Sequence, residues 1–235
     1  MIWYKKLGYA YNPFTIKPGF FDDEVIGYDK EVDTLIDWLK NDSMCFLEAE
    51  YGLGKTTILK FLVEEFKGEY RIAHISRNRS DRSFNYEKLL VGANKGLGKL
   101  IGSKAKQVIL IVDETQKLNE KDCKAIEKLF REGYFKAVLF MDSSFKKVDF
   151  TQTCKELIGK NVLKLSSLSE KEAIELARSR LETNQEMISD EVIAKIFEKS
   201  NKNTRFFLLN LEDVFRASIQ EGKEIITKEK VEDLL

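Results

Sequence analysis

Short runs of consecutive apolar residues alternate along this chain with longer segments whose apolar positions recur every three or four residues. The runs at Ser43–Glu48, Tyr70–Ser76, Val108–Val112, Ala137–Met141 and Val162–Leu165 are too short for buried helices and read as buried strands. Helical spacing marks Tyr28–Asn41, Thr56–Phe66 and Asn119–Arg131. Short apolar strands alternating with helices predict a parallel sheet covered on both faces. After Leu168 the pattern becomes purely helical. Ser169 with Glu172 forms a capping-box start for a helix to Leu181, and further helices follow at Ser189–Lys199, Arg205–Glu221 and Lys228–Leu235. The first 25 residues carry Trp3, Tyr4, Tyr9, Tyr11, Phe14, Phe20 and Phe21 with both prolines, and read as an extended arm pinned by its rings. The expected organisation is an α/β domain over residues 1–166, arm included, and a small helical domain over 167–235.

Composition narrows the chemistry. With 235 residues, 43% of them hydrophobic and 33% charged, the chain can bury a core. Cys45, Cys123 and Cys154 are odd in number and far apart, which suits neither a disulfide framework nor a zinc knuckle. His74 is the single histidine, so His-rich metal sites and His-dependent triads are close to excluded. No run of about 18 apolar residues and no signal-peptide pattern is present, so a soluble, cytoplasmic protein without a membrane span is expected.

The strongest motif is Glu48-Ala-Glu-Tyr-Gly-Leu-Gly-Lys-Thr-Thr57, between an expected strand and an expected helix. A phosphate-binding loop needs that context, because main-chain N–H groups must curl around the phosphates while a helix N-terminus points at them. Tyr51, Gly52, Leu53, Gly54, Lys55, Thr56 and Thr57 would form the cradle. Lys55 can reach the β- and γ-phosphates, and the Thr56 hydroxyl can ligate Mg²⁺. Ala49 stands where the usual G-x-x-x-x-G-K-[ST] pattern begins with glycine, which is tolerable if its φ stays negative. The second motif is Val108–Val112 followed by Asp113 and Glu114, two carboxylates at the tip of a buried strand. One acid can hold Mg²⁺ through water while the next polarises the attacking water. Together the motifs predict binding of ATP or GTP.

With these motifs and its helical last third, the chain resembles the AAA+ ATPases. It is most similar to the ExeA-type and transposition-associated ATPases, and next to archaeal origin-recognition initiators. Asn12-Pro13-Phe14 resembles the N-P-F opening of the ExeA type, Val112–Leu118 its D-E-A-Q-x-L stretch, and Ser200–Arg205 the S-G-G-x-P-R of the lid domain. The resemblance implies an α/β P-loop NTPase fold with a helical lid, ATP and Mg²⁺ as ligands, Asp113 as the magnesium acid and Glu114 as the catalytic base. It further implies Arg205 as a lid arginine reaching the γ-phosphate, a small polar sensor at the fourth strand's end (Ser143, with Asp142 the competitor), and Ile26 in a loop over the adenine. AAA+ proteins usually supply an arginine across a subunit interface, yet no arginine lies between Arg131 and Arg178, where Lys155 and Lys160 stand instead. Lysine lacks arginine's planar fork, so the expectation is weak trans-activated hydrolysis, or a finger from Arg131 in a homo-oligomer, or a chain that works as a monomer or with a different partner.

From Arg71 to Lys106 nine basic residues face two acidic ones in a chain of zero net charge. Arg77, Arg79 and Arg82 in particular suit the phosphate backbone of double-stranded DNA, without base-specific readout. The expected function is therefore an ATP-hydrolysing, DNA-associated switch of replication, transposition or a mobile element. The alternatives are an assembly ATPase acting on a protein complex, or a nucleotide-gated binding module with little turnover.

Overall fold

The computed structural model describes residues 2–17, 25–76, 86 and 108–235. The candidate DNA contacts Arg77, Arg79 and Arg82, the stretch Gly92–Lys106, and Phe20 and Phe21 of the arm lie outside the described residues.

Five strands form one parallel sheet: β1 (Met44–Glu48), β2 (Arg71–Ser76), β3 (Val108–Asp113), β4 (Phe135–Asp142) and β5 (Val162–Lys164), in the order β2-β3-β4-β1-β5. β1, β3 and β4 are interior and are buried along almost their whole length, which is why they read as unbroken apolar runs. β2 lies at an edge and buries only Ala73 and Ile75. β4 is longer than its apolar run suggests. It starts at Phe135 and ends on the buried Asp142, a carboxylate that sequence reasoning leaves outside the strand. The register pairs Glu48 with Asp142, Met141 with Asp113, and Asp113 with Ser76. Because the strands are parallel, these residues share the sheet's C-terminal edge.

Two faces of helices cover this sheet as the alternating pattern predicts, and the chain has an α/β P-loop NTPase fold. Helix α2 (Asp29–Lys40) buries Val32, Leu35 and Leu39, and α3 (Lys55–Glu65) buries Ile58, Leu59 and Leu62. Helix α4 (Glu120–Arg131) starts at a capping box between Asn119 and Asp122. The sequence pattern misses α5 (Gln152–Ile158), whose seven residues are too few to show a period; Thr151 caps it through the Cys154 N–H and Gly159 ends it. The core centres on Phe46, Phe140 and Phe150, with Phe140 and Phe150 edge-to-face at 4.9 Å. Cys123 of α4 and Cys154 of α5 meet in that core although they are distant in sequence. Both are free thiols; their contact holds Cys123 below the usual thiol range, while that contact and burial push Cys154 up.

The chain divides into two compact units, Asp29–Tyr51 with Ile58–Leu165, and Met1–Tyr28 with Gly52–Thr57 and Ser166–Leu235. The first holds the sheet. The second contains helix α1 (Trp3–Lys6), a turn of helix where the sequence reads as extended, followed by α6 (Glu170–Leu181), α7 (Asp190–Lys199), α8 (Thr204–Gln220) and α9 (Lys228–Leu234). Ser169 and Glu172 cap α6 reciprocally, as their spacing predicts. The arm joins this unit through its rings. Phe14 is fully buried, its centroid 4.9 Å from that of Phe215 on α8, and Trp3 stacks against Phe14. Burying one such ring contributes about 1.5–3 kcal/mol. The Phe14 N–H donates to the Asn12 carboxamide, so the N-P-F stretch folds into a local turn that presents the ring. The Tyr9 hydroxyl also shares its single proton between the carbonyls of Leu181 and Thr183 at the end of α6. Among the described residues no helix is long and apolar enough to cross a membrane.

Candidate functional site

The phosphate-loop motif lies between β1 and α3. Its root is fastened at Ala49, which is buried and donates its N–H to the Asp142 carbonyl at 2.9 Å. Ala49 is not among the residues with positive φ, so alanine serves where the common pattern has glycine. Gly52 and Gly54 adopt φ of +88° and +96°, a region that L side chains rarely enter. A Cβ on Gly52 would also lie 2.4 Å from Asn203 Oδ1, so both conformation and space demand glycine there. Leu53 is buried and anchors the loop, Tyr51 is exposed, and Lys55 opens α3 with Thr56 and Thr57 behind it.

Within the same unit the loop touches the start of α8. The Arg205 N–H donates to the Gly52 carbonyl at 3.1 Å. Asn203 caps α8, its Oδ1 accepting from the N–H groups of Arg205 and Phe206 at 3.1 and 3.2 Å. Asn201 and Lys202 sit at φ of +51° and +56°. These are the two positions where the similar lid motif has glycines, and both lie in the region of φ that favours glycine. Ile26, Gly27 and Tyr28 lie along the start of α6. Gly27 takes φ +80°, where a Cβ would fall 2.6 Å from Leu168, and the Tyr28 hydroxyl donates to the Ser166 carbonyl at 2.9 Å. One unit thus gathers Ile26, the loop and Arg205.

The acids belong to the sheet unit. Asp113 ends β3 and accepts the Glu114 N–H at 2.9 Å. Glu114 occupies the left-handed region at φ 57°, ψ 49° and begins a short turn over Thr115–Lys117. The hydroxyl of Ser76, at the end of β2, donates to Glu114 Oε2 at 2.9 Å. Asp142 is buried, and its carboxylate takes donors from Thr115, Gln116 and Ser143. Glu48 accepts the Phe145 N–H at 2.8 Å and pairs with Lys164 at 3.4 Å, which steadies the exits of β1 and β4.

Sequence reasoning overlooks Ser76, Asn203, Thr115 and Gln116. A signal exists for two of them. Ser76 is the polar residue that closes an apolar strand, as Asp113 does for its neighbour. Asn203 stands directly before a helical period, an N-cap position.

Each unit by itself offers an oxygen donor of the kind hard cations take, the Thr56 hydroxyl in one and the Asp113 carboxylate in the other, while no cluster of three His, Cys, Asp or Glu able to hold a metal by itself occurs among the described residues. A separate cavity of about 680 Å³ in the helical unit is lined by groups such as Lys195, Glu198 and Glu232, which pair with one another.

No protein-family model and no curated protein sequence matches this chain. Solved structures do. Cdc6p from Pyrobaculum aerophilum aligns with a TM-score of 0.68 at 14% identity, over 95% of this chain and 70% of that one. The Orc1 protein of Aeropyrum pernix, solved in complex with DNA, aligns with a TM-score of 0.69 at 13% identity, over 95% and 68%. The RuvB Holliday junction branch migration motor of Thermotoga maritima aligns with a TM-score of 0.65 at 16% identity, over 89% and 68%. With this sheet order, a glycine loop after β1 and acids after β3, the chain carries the fold of the AAA+ P-loop ATPases.

Proposed function

We propose that this protein binds and hydrolyses ATP and acts as a DNA-associated switch. The observation that carries the reading is the loop Gly52–Thr57: two glycines at positive φ, held from behind, running directly into α3 after a central parallel strand. Such a loop offers main-chain N–H groups and a helix dipole to phosphates. In this reading Lys55 neutralises charge on the β- and γ-phosphates, Thr56 and Asp113 hold Mg²⁺, and Ile26 covers the base. Magnesium supplies charge neutralisation across the phosphates. Glu114 polarises the attacking water and accepts its proton, Ser143 orients that water, and Arg205 senses the γ-phosphate from the lid. Two assays test this. Binding of a fluorescent ATP analogue should weaken by on the order of 100-fold in Lys55→Ala; full retained affinity overturns the loop assignment. Phosphate release should slow by on the order of 100- to 1,000-fold in Glu114→Gln with binding intact. A wild-type chain that binds ATP without turnover, with or without DNA, is a nucleotide-gated binding module instead.

The DNA part of the proposal rests on the basic excess from Arg71 to Lys106 and on the company of structures described as a DNA complex and a branch migration motor. Binding to duplex DNA should fall steeply with salt, because each neutralised phosphate releases counterions. Charge reversal of Arg77, Arg79 and Arg82 together should flatten that slope. No affinity at low salt, with and without ATP, removes DNA from the proposal.

A further inference from the structure

Asp142 is 4% exposed, and its carboxylate is filled with donors. Oδ2 accepts the Gln116 N–H at 2.8 Å and the Thr115 hydroxyl at 3.4 Å; Oδ1 accepts the Ser143 N–H at 2.6 Å and its hydroxyl at 3.2 Å. Its main-chain carbonyl accepts the Ala49 N–H at 2.9 Å. One residue therefore holds the root of the phosphate loop, the turn after Glu114 and the exit of β4. A carboxylate this buried needs such donors to offset its lost hydration. Glu114, meanwhile, stands in the left-handed region, where a non-glycine residue persists only if its surroundings over-determine it. The two residues that follow Glu114 are the ones Asp142 grips, and Ser76 holds the Glu114 side chain from the other strand.

We infer that Asp142 is a positioning residue: its carboxylate sets the backbone of the Glu114 turn and the rotamer of the Ser143 hydroxyl, and does not itself meet water or phosphate. Asparagine is the discriminating replacement. It keeps the volume but turns one acceptor oxygen into a donor nitrogen facing N–H or O–H groups, so part of the grip becomes repulsion.

This inference rests on the ATPase reading, and the experiment separates the two. Asp142→Asn should lower kcat by on the order of 30-fold, as misplacement of a reacting group does, with KM and ATP-analogue affinity changed less than about threefold. In a Glu114→Gln background the same substitution should cost less than about threefold more, since only the smaller part of its effect, through the Ser143 hydroxyl, is left once Glu114 is gone. Amide exchange at Gln116 and Ser143 should quicken at least about tenfold. Unchanged kcat, a loss that multiplies with that of Glu114→Gln, or unchanged exchange at both amides overturns the inference. Absence of wild-type turnover counts against the ATPase reading alone, and the exchange measurement then decides whether Asp142 holds the turn. If Asp142→Asn does not fold, Thr115→Val removes one donor at nearly constant volume. Its kcat should fall about threefold, and an equal kcat overturns the inference.

Discussion

The loop region and the acid region are made rigid by opposite means. At Gly52 the contact with the start of α8 is main chain against main chain, and what makes it possible is the absence of a side chain. At the ends of β3 and β4 the backbone is shaped by side chains: Asp142 gathers N–H and hydroxyl donors, and Ser76 steadies Glu114. The lesson is about which change does harm. Adding atoms should damage the loop, whereas exchanging one oxygen should damage the acids.

Substitutions can break or sharpen this contrast. The largest effect is expected for Gly52→Val, which meets both a positive φ and an occupied space. The helical unit should lose about 2–3 kcal/mol in urea melts, and ATP-analogue binding should weaken with it. A melt unchanged from wild type would show that the loop does not depend on a bare backbone. Asn203→Ala should come next, at about 1 kcal/mol for a lost helix cap. Combined with Gly52→Ala it should cost less than the sum, because the space Asn203 vacates accepts the new methyl group. Additive losses would argue against the close approach. On the acid side, Ser76→Ala should leave the melt unchanged within about 0.5 kcal/mol and lower ATP turnover about fivefold by loosening Glu114. A drop in stability with constant kcat would make Ser76 a sheet-edge residue only. The smallest effect is a gain: Lys202→Gly relieves a left-handed lysine and should stabilise the chain by about 0.5 kcal/mol, net of glycine's entropy cost.

Much of the architecture can be read directly from local patterns. The interior strands are legible because a strand buried on both faces must be apolar at every position, and Val108–Val112 could hardly be anything else. The glycines of the loop, the carboxylates after Val112 and the capping box at Ser169 are also local features, since each is a property of neighbouring residues. Recognition fails where the deciding contact is distant. Helix α5 is too short to announce itself, and Asp142 enters β4 because Thr115, Gln116 and Ser143 supply the donors that let a carboxylate be buried. Cys123 and Cys154 look unrelated until α4 and α5 pack.

What the amino-acid order determined by itself is therefore the set of elements and the chemistry at their ends: apolar runs long enough for strands, a glycine loop before a helix, acids after a strand. Tertiary structure alone decided which ends share an edge and which partners they find, including Ser76 on Glu114, Asn203 against Gly52 and the arm's Phe14 beside Phe215. The physical reason is one of range. Periodicity and turn chemistry act over a few residues, whereas hydrogen bonds to a buried carboxylate or a ring in a core join residues whose proximity exists only after the strands have registered and the helices have packed.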